Sequence, residues 1–315
     1  MDRNLEQIVG LMSKERRTLK ELKINFSDVK ELKKLGFNVK SSNGFYWIKS
    51  MDQDNHYVVS PLNKEQSKLS WAEVSDIHAG AKTFDEKGFR WFLQQVKDRG
   101  IKYVHFSGDA VDGTKVYPGQ VNYLKYFSEE DQVNCLGDLI GEFENDFKWL
   151  MIDGNHDMSW VKLGAPSPNK LLADKLKNVI YLPGAGADKI VRGDIILDGV
   201  MKRMVHPWSN SARGTYALSY PGQVYLRNVM GNDVQFEVSG KKYFMKLLQI
   251  GHYHTEMMYR SFGVRVTHPL SFQKPNDYTE GMGKVGPRGG RITEMDVKNG
   301  EILYYNSEVL EVPNL

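Results

Sequence analysis

The chain has 315 residues, 41% apolar and 26% charged, which suits one large domain, or a large and a small one, with a sizeable buried core. No apolar run approaches the ~18 residues of a membrane span, the polar N-terminus does not read as a signal peptide, and a single cysteine excludes an internal disulfide, so a cytoplasmic location is expected. The net charge is only +3, yet residues 1–49 hold eleven Lys/Arg against six Asp/Glu, an asymmetry that suits either a polyanionic partner or a solvated helix surface.

In the basic head, Leu5, Ile8, Val9 and Met12 recur at helical spacing. Thr18 and Glu21 are spaced as a capping box that opens a short second helix. Ser27 is placed to cap a third, carrying Val29, Leu32 and Leu35 and ending at Gly36. Val39 to Ile48 brackets Asn43-Gly44, a dipeptide suited to a tight hairpin turn. Three short helices and a hairpin resemble a winged helix-turn-helix, expected over 1–49. Its third helix would bring Lys30, Lys33 and Lys34, and its wing Lys40, to nucleic acid; many such modules bind protein instead, and a protein partner is the alternative. Residues 50–68 are polar and aperiodic and read as a linker.

From Leu69, strands alternate with helices. Trp71–Ser75 is the first predicted strand of this region. Thr83 and Glu86 are spaced as a capping box for a helix with Phe89, Phe92, Leu93 and Val96 on one face and a stop at Gly100. A strand over Tyr103–Phe106, a helix marked by Leu136, Leu139, Ile140 and Phe143, and a strand over Trp149–Ile152 follow. Cys135 reads as a small core residue on that second helix. Ser167-Pro168 starts another helix with proline at its first position. Beyond 178 the signals are mainly strands, at Ile195–Leu197, Met201–Val205, Phe244–Ile250 and Val264–Thr267, and a last hairpin turns at Asn299-Gly300. This order predicts an α/β sandwich of two mixed sheets covered by helices over 69–315.

Five clusters each fall just past a predicted strand: Asp76-Ile77-His78, Gly108-Asp109-Ala110-Val111-Asp112, Gly154-Asn155-His156-Asp157, His206, and Gly251-His252-Tyr253-His254. Strand ends are where open α/β sheets bind ligands. Any one cluster alone is an ordinary turn or cap; five in order are not. Imidazoles, carboxylates and an amide suit borderline or hard divalent ions. Two such ions about 3.5–4 Å apart share a carboxylate and a hydroxide and activate water near neutral pH.

This ordered set resembles the calcineurin-like metallophosphoesterase superfamily over residues 70–280. The resemblance implies Asp76, His78 and His254 as ligands of one metal, Asn155, His206 and His252 as ligands of the other, and Asp109 as the bridge. It implies that His156 faces the scissile phosphate and protonates or stabilises the leaving oxygen, with Asp112 and Asp157 orienting the ligands. The stretches from Ser75 to Phe84, from Gly108 to Gly113, Val116-Tyr117-Pro118-Gly119-Gln120 and Ala165-Pro166-Ser167-Pro168 are similar to the exonuclease-bearing small subunit of archaeal family D DNA polymerase. That likeness implies a Mn²⁺-dependent 3′→5′ exonuclease acting on DNA, with iron, zinc or nickel as alternative metals.

The chain departs from that subunit in having no room for an OB domain ahead of the catalytic one. It also departs in Pro207-Trp208 after His206 and in the segment from Asn210 to Lys242, so a freestanding nuclease is expected. A phosphodiesterase or phosphatase for cyclic or second-messenger nucleotides or phosphoproteins is the alternative, and a non-catalytic DNA-binding or scaffold protein a third. His105, inside a strand, reads as a packed side chain, and His268 as structural or supporting. Tyr117, Tyr253 and Trp208 lie near the motif loops and read as packing or base-stacking groups.

Overall fold

The computed structural model describes residues 17–22, 25, 28–29, 39–42, 45–48, 56–59, 67–183, 190–207, 219–230, 236–238, 241–281 and 286–313. The chain divides into two compact units, Met1–Asp54 with Phe236–Lys242, and Asn55–Gln235 with Tyr243–Leu315.

In the smaller unit, β1 (Arg17–Thr18) leads into α1 (Leu19–Leu22), and β2 (Val39–Ser42) and β3 (Phe45–Ile48) complete an antiparallel sheet of order β1-β3-β2. The capping box at Thr18 forms: the Thr18 N–H donates to Glu21 Oε2 at 2.7 Å and the Glu21 N–H to Thr18 Oγ1 at 3.3 Å. A reciprocal cap also joins Asn25 and Asp28. Asn25 and Asp28 exchange side-chain and backbone bonds at 2.7 and 3.2 Å, and the Asn25 carbonyl accepts from the Val29 N–H. Asn is as good an N-cap as Ser, and here the reciprocal partner three residues on is an aspartate. Ser42 pairs with Phe45, leaving a two-residue connection at Asn43-Gly44. Lys40 is on β2, its side chain undescribed; Lys30, Lys33, Lys34, Ser27 and the first predicted helix lie outside the described residues.

The larger unit starts with β4 (His56–Val59), where a linker was expected; it pairs parallel with a later strand, and backbone pairing overrides the lack of local periodicity. Then come β5 (Ser67–Val74), α2 (Glu86–Asp98), β6 (Tyr103–Ser107), α3 (Glu129–Gly141), β7 (Lys148–Ile152), α4 (Asp157–Val161), α5 (Pro168–Lys175) and β8 (Val179–Tyr181). They are followed by β9 (Ile190–Leu197), β10 (Val200–Pro207) and α6 (Tyr220–Met230), then by β11 (Phe236–Val238) and β12 (Lys241–Tyr243), of which Phe236–Lys242 belongs to the smaller unit, and in the larger unit again by β13 (Met245–Ile250), β14 (Met257–Ser261), β15 (Val264–His268), α7 (Asp277–Gly281), β16 (Gly289–Lys298) and β17 (Glu301–Glu311). The helix at α6 was not expected. The cap of α2 is Asp85, whose carboxylate accepts from the Gly88 N–H, rather than Thr83. The starts and stops at Gly100, Ser167-Pro168 and Asn299-Gly300 are as predicted, the last with both residues at positive φ.

Two six-stranded mixed sheets, β17-β16-β5-β6-β7-β8 and β14-β15-β13-β10-β9-β4, make the predicted α/β sandwich. Strand periodicity assigns the two cores. Along β7, Trp149 and Met151 join Phe89, Phe92, Leu93, Val96 and Leu136 on the helix side, while Leu150 and Ile152 join Trp71, Ile195, Met204 and Leu247 on the other. The second core includes a polar cluster. Lys202 Nζ lies 2.6 Å from Glu73 Oε1 and 3.0 Å from His105 Nδ1, and Trp71 Nε1 donates to the same Glu73 oxygen at 2.9 Å. His105 is thus a packed side chain, as expected. Burial pushes Lys202 down to about 8 despite Glu73. Among the described residues no helix is long and apolar enough to cross a membrane.

Candidate metal centre

The motif residues stand just past the ends of β5, β6, β7 and β13, and His206 near the end of β10 itself. β5, β6 and β7 run parallel, as do β10 and β13, so their C-terminal ends converge. Close approach demands glycines: a Cβ on Gly154 would lie 2.0 Å from Asp109 Oδ1, and one on Gly251 2.3 Å from the Ser107 carbonyl oxygen. Asp76, His78, Asp109, His252 and His254 all have positive φ. Each such non-glycine residue costs ~1–3 kcal/mol and persists where its surroundings hold it. Here Asp76 is held by Ser271 Oγ and the Phe272 N–H on its carbonyl, at 2.7 and 3.1 Å.

Two donor sets share one carboxylate. In the first, His254 Nε2 lies 3.2 Å from Asp76 Oδ1 and 3.1 Å from His78 Nε2. In the second, His206 Nε2 lies 3.1 Å from Asn155 Oδ1, and His252 Nδ1 lies 2.9 Å from the same oxygen. Asp109 Oδ2 is 3.1 Å from His206 Nε2 and 3.9 Å from His78 Nε2. All seven predicted metal ligands are brought together, and all but Asn155 are buried. His156 joins them, close enough that one of its ring nitrogens groups with His78 and Asp109. Its Nδ1 lies 2.6 Å from the Asp112 carbonyl oxygen.

The tautomers can be read from the outer contacts. His206 Nδ1 faces the Ser107 carbonyl at 2.7 Å, so it carries the proton and Nε2 turns a lone pair inward. His78 Nδ1 faces Asp112 Oδ1 at 3.2 Å, with the same consequence. Lone pairs of imidazole, carboxylate and amide therefore converge at about hydrogen-bond distance, an arrangement that a cation relieves. The donor set of nitrogen and oxygen atoms, without thiolate, fits a pair of divalent ions. Without a cation, protons take that place. Burial works against charging His206, but Asp109 raises it to about 9. Burial likewise opposes ionised Asp76, yet His254 and His206 hold its carboxyl well below the ordinary range. Burial lowers His156.

Asp157 acts on backbone rather than on ligand side chains. It accepts from the N–H groups of Asp109, Ala110 and Val111 at 3.0, 3.2 and 3.1 Å and from Gly154 at 2.7 Å, tying the two loops together. Burial and the Asp153 and Asp109 carboxylates push its carboxyl up, and the Gly154 and Val111 N–H donors oppose them. Asp112 takes a bond from Gln120 Nε2 at 3.0 Å. Gln120, Gln132, Ser107, Asp153 and Gln249 support the site, and sequence reasoning gave none of them a role. Gln and Ser form no spacing signature, although Gln120 lies in the Tyr-Pro-Gly-Gln run. Tyr117 is 6.3 Å, ring to ring, from His156; Tyr253 packs on His252 and on His268, which is buried and pushed down to about 4. Trp208 lies outside the described residues.

No family model matches this chain. It is 26% identical over 254 residues to the DNA polymerase II small subunit of Thermoplasma acidophilum, covering 74% of this chain and 51% of that protein. With the subunit of the same name from Pyrococcus abyssi it shares 24% identity over 293 residues, covering 82% and 47%. The chain is a homologue of archaeal DNA polymerase II small subunits. It spans about half the length of these relatives. Among solved structures, the calcineurin-like phosphoesterase YfkN from Bacillus subtilis overlaps it with a TM-score of 0.37 at 12% identity, covering 79% of this chain and 92% of that one.

Proposed function

We propose that this chain is a two-metal phosphoesterase that cuts a DNA phosphodiester in a 3′→5′ exonuclease-like manner, with Mn²⁺ as the working metal. The observation that carries the proposal is the shared carboxylate: Asp109 Oδ2 stands between the Asp76–His78–His254 set and the Asn155–His206–His252 set. Bound there, two divalent ions would lower the pKa of the attacking water and offset charge on the phosphoryl oxygens.

The residues divide the remaining work. Asp76, His78 and His254 would hold one ion, Asn155, His206 and His252 the other, and Asp109 would serve both. With His156 Nδ1 held by the Asp112 carbonyl, its Nε2 serves the leaving oxygen, by donating a proton or a hydrogen bond. Asp112 fixes His78 and, through Gln120, the loop bearing Tyr117. Asp157 fixes the Asp109 and Gly154 backbones. The likeness to polymerase small subunits favours DNA over small nucleotides and phosphoproteins. The basic head, with Lys30, Lys33, Lys34 and Lys40, would deliver the strand or dock a protein partner.

The test is cleavage of end-labelled single- and double-stranded DNA with added Mn²⁺, with His156→Ala as the control. Ladder-like shortening that the variant lacks is the expected result. Intact DNA beside variant-sensitive hydrolysis of a chromogenic phosphodiester would reject DNA and keep the two-metal chemistry.

A further inference from the structure

Gln249 is fully buried near the C-terminal end of β13, paired within its own sheet between Met204 of β10 and Thr267 of β15. Its side chain crosses to the other sheet. Gln249 Nε2 lies 3.2 Å from the Val74 carbonyl oxygen, 3.0 Å from that of His105 and 3.0 Å from Ser107 Oγ. Only the amide nitrogen satisfies two carbonyls at once, so the orientation is fixed. The opposite atom, Oε1, is buried with no hydrogen-bond partner among the described residues. An orphaned buried acceptor costs ~1–3 kcal/mol. Packing alone gives no reason to keep an amide here, since a methionine fills similar volume without that cost.

The three acceptors lie just ahead of ligand residues along the chain: Val74 is two residues before Asp76, and His105 and Ser107 are four and two before Asp109. The donor, Gln249, is three before His252. The Ser107 carbonyl also receives the His206 Nδ1–H at 2.7 Å. One amide therefore touches the strand ends that deliver Asp76 and Asp109 and comes from the strand that delivers His252 and His254. The sheets meet closely just above it: Gly251 has no space for a Cβ between the Ser107 carbonyl and Ser75 Oγ. On the facing side, the His252 N–H donates to the Asp76 carboxylate at 2.9 Å.

Resting on the two-metal reading above, we propose that Gln249 is a positioning residue that sets the distance between the two metal-ligand sets. It does so by pinning the ends of β5 and β6 to β13 across the sandwich. Losing the amide would let the sheets slide relative to one another by a fraction of an ångström at the ligand atoms. Outer supports of this kind are worth ~10–100-fold in metal affinity.

The experiment uses the full chain, stripped of metal and titrated with Mn²⁺. Calorimetry would follow affinity, and electron paramagnetic resonance would follow the spin-coupled pair. Gln249→Met keeps the volume and removes the donor; Ser107→Ala removes one of its three acceptors. The expected result is Mn²⁺ binding weakened ~10–100-fold and loss of the coupled signal in Gln249→Met. Ser107→Ala should show a smaller loss, with melting temperatures near wild type in both. Wild-type affinity and coupling in Gln249→Met would overturn the proposal. If Gln249→Met does not fold, Ser107→Ala decides in the same terms: weakened binding supports the proposal and unchanged binding overturns it. A wild-type chain that never binds a second Mn²⁺ would instead reject the two-metal reading itself.

Discussion

His206 Nε2 lies 3.1 Å from Asp109 Oδ2, and the opposite nitrogen of the same ring is held by the Ser107 carbonyl at 2.7 Å. A histidine oriented from behind, with its lone pair on a carboxylate shared by a second donor set, is built to accept a cation. Asp109→Asn keeps the shape and removes the charge. We expect both ions to bind more weakly in this variant, measured as metal stoichiometry after dialysis. Unchanged two-metal occupancy would contradict the shared role.

His156 touches the Asp112 carbonyl through Nδ1 and is assigned no metal. His156→Ala should lower kcat by ~10²–10⁴-fold, the usual worth of a positioned general acid. Metal content should remain near wild type. Loss of both ions together with activity would make His156 a ligand instead.

The buried Glu73–Lys202 pair supports a stability prediction away from the ligands. Lys202→Met leaves the Glu73 carboxylate buried without its cation and should cost ~3–5 kcal/mol. Glu73→Leu combined with Lys202→Met should be far milder, because such pairs replaced by apolar groups are often neutral or better. Chemical denaturation of both variants checks this; a double variant no more stable than the single would be the contrary result.

The same pair fixes a sign for pH. Burial alone would raise Glu73, but Lys202 brings its folded-state pKa below the ordinary 4.5. The unfolded chain therefore binds the proton first. The stability from ionised Glu73 is complete above the unfolded value and is lost as pH falls through the folded one. Melting temperature followed from neutral into acid should fall more steeply in wild type than in the double variant. Equal slopes would remove Glu73 as a source of acid sensitivity.

Replacing Lys30, Lys33, Lys34 and Lys40 together with alanine tests the basic head. Binding of a DNA oligonucleotide should weaken, and its salt dependence should flatten by ~1 for each phosphate no longer neutralised. Hydrolysis of a small chromogenic diester should be unchanged. A variant that binds DNA as wild type does would point the head towards a protein partner.

Much of this was written in local pattern. The strand–helix order, the caps at Thr18 and Ser167-Pro168 and the turn at Asn299-Gly300 follow from side-chain periodicity and backbone preferences within a few residues. So does the order of the five clusters, since each needs a glycine or an acceptor directly beside a strand end. Patterns of this range are blind to pairing between distant segments. That is why β4 read as a linker and α6 went unseen, and why Asp85 rather than Thr83 caps α2.

The sequence by itself singled out the side chains that the fold brings together, because residue type and strand-end position are properties of short segments. Tertiary structure alone decided that Asp157 works on backbone N–H groups and that Gln249 bridges the sheets. Those relationships join residues up to 175 positions apart, as between Val74 and Gln249. Only the stacking of two parallel-strand ends brings them within hydrogen-bond reach.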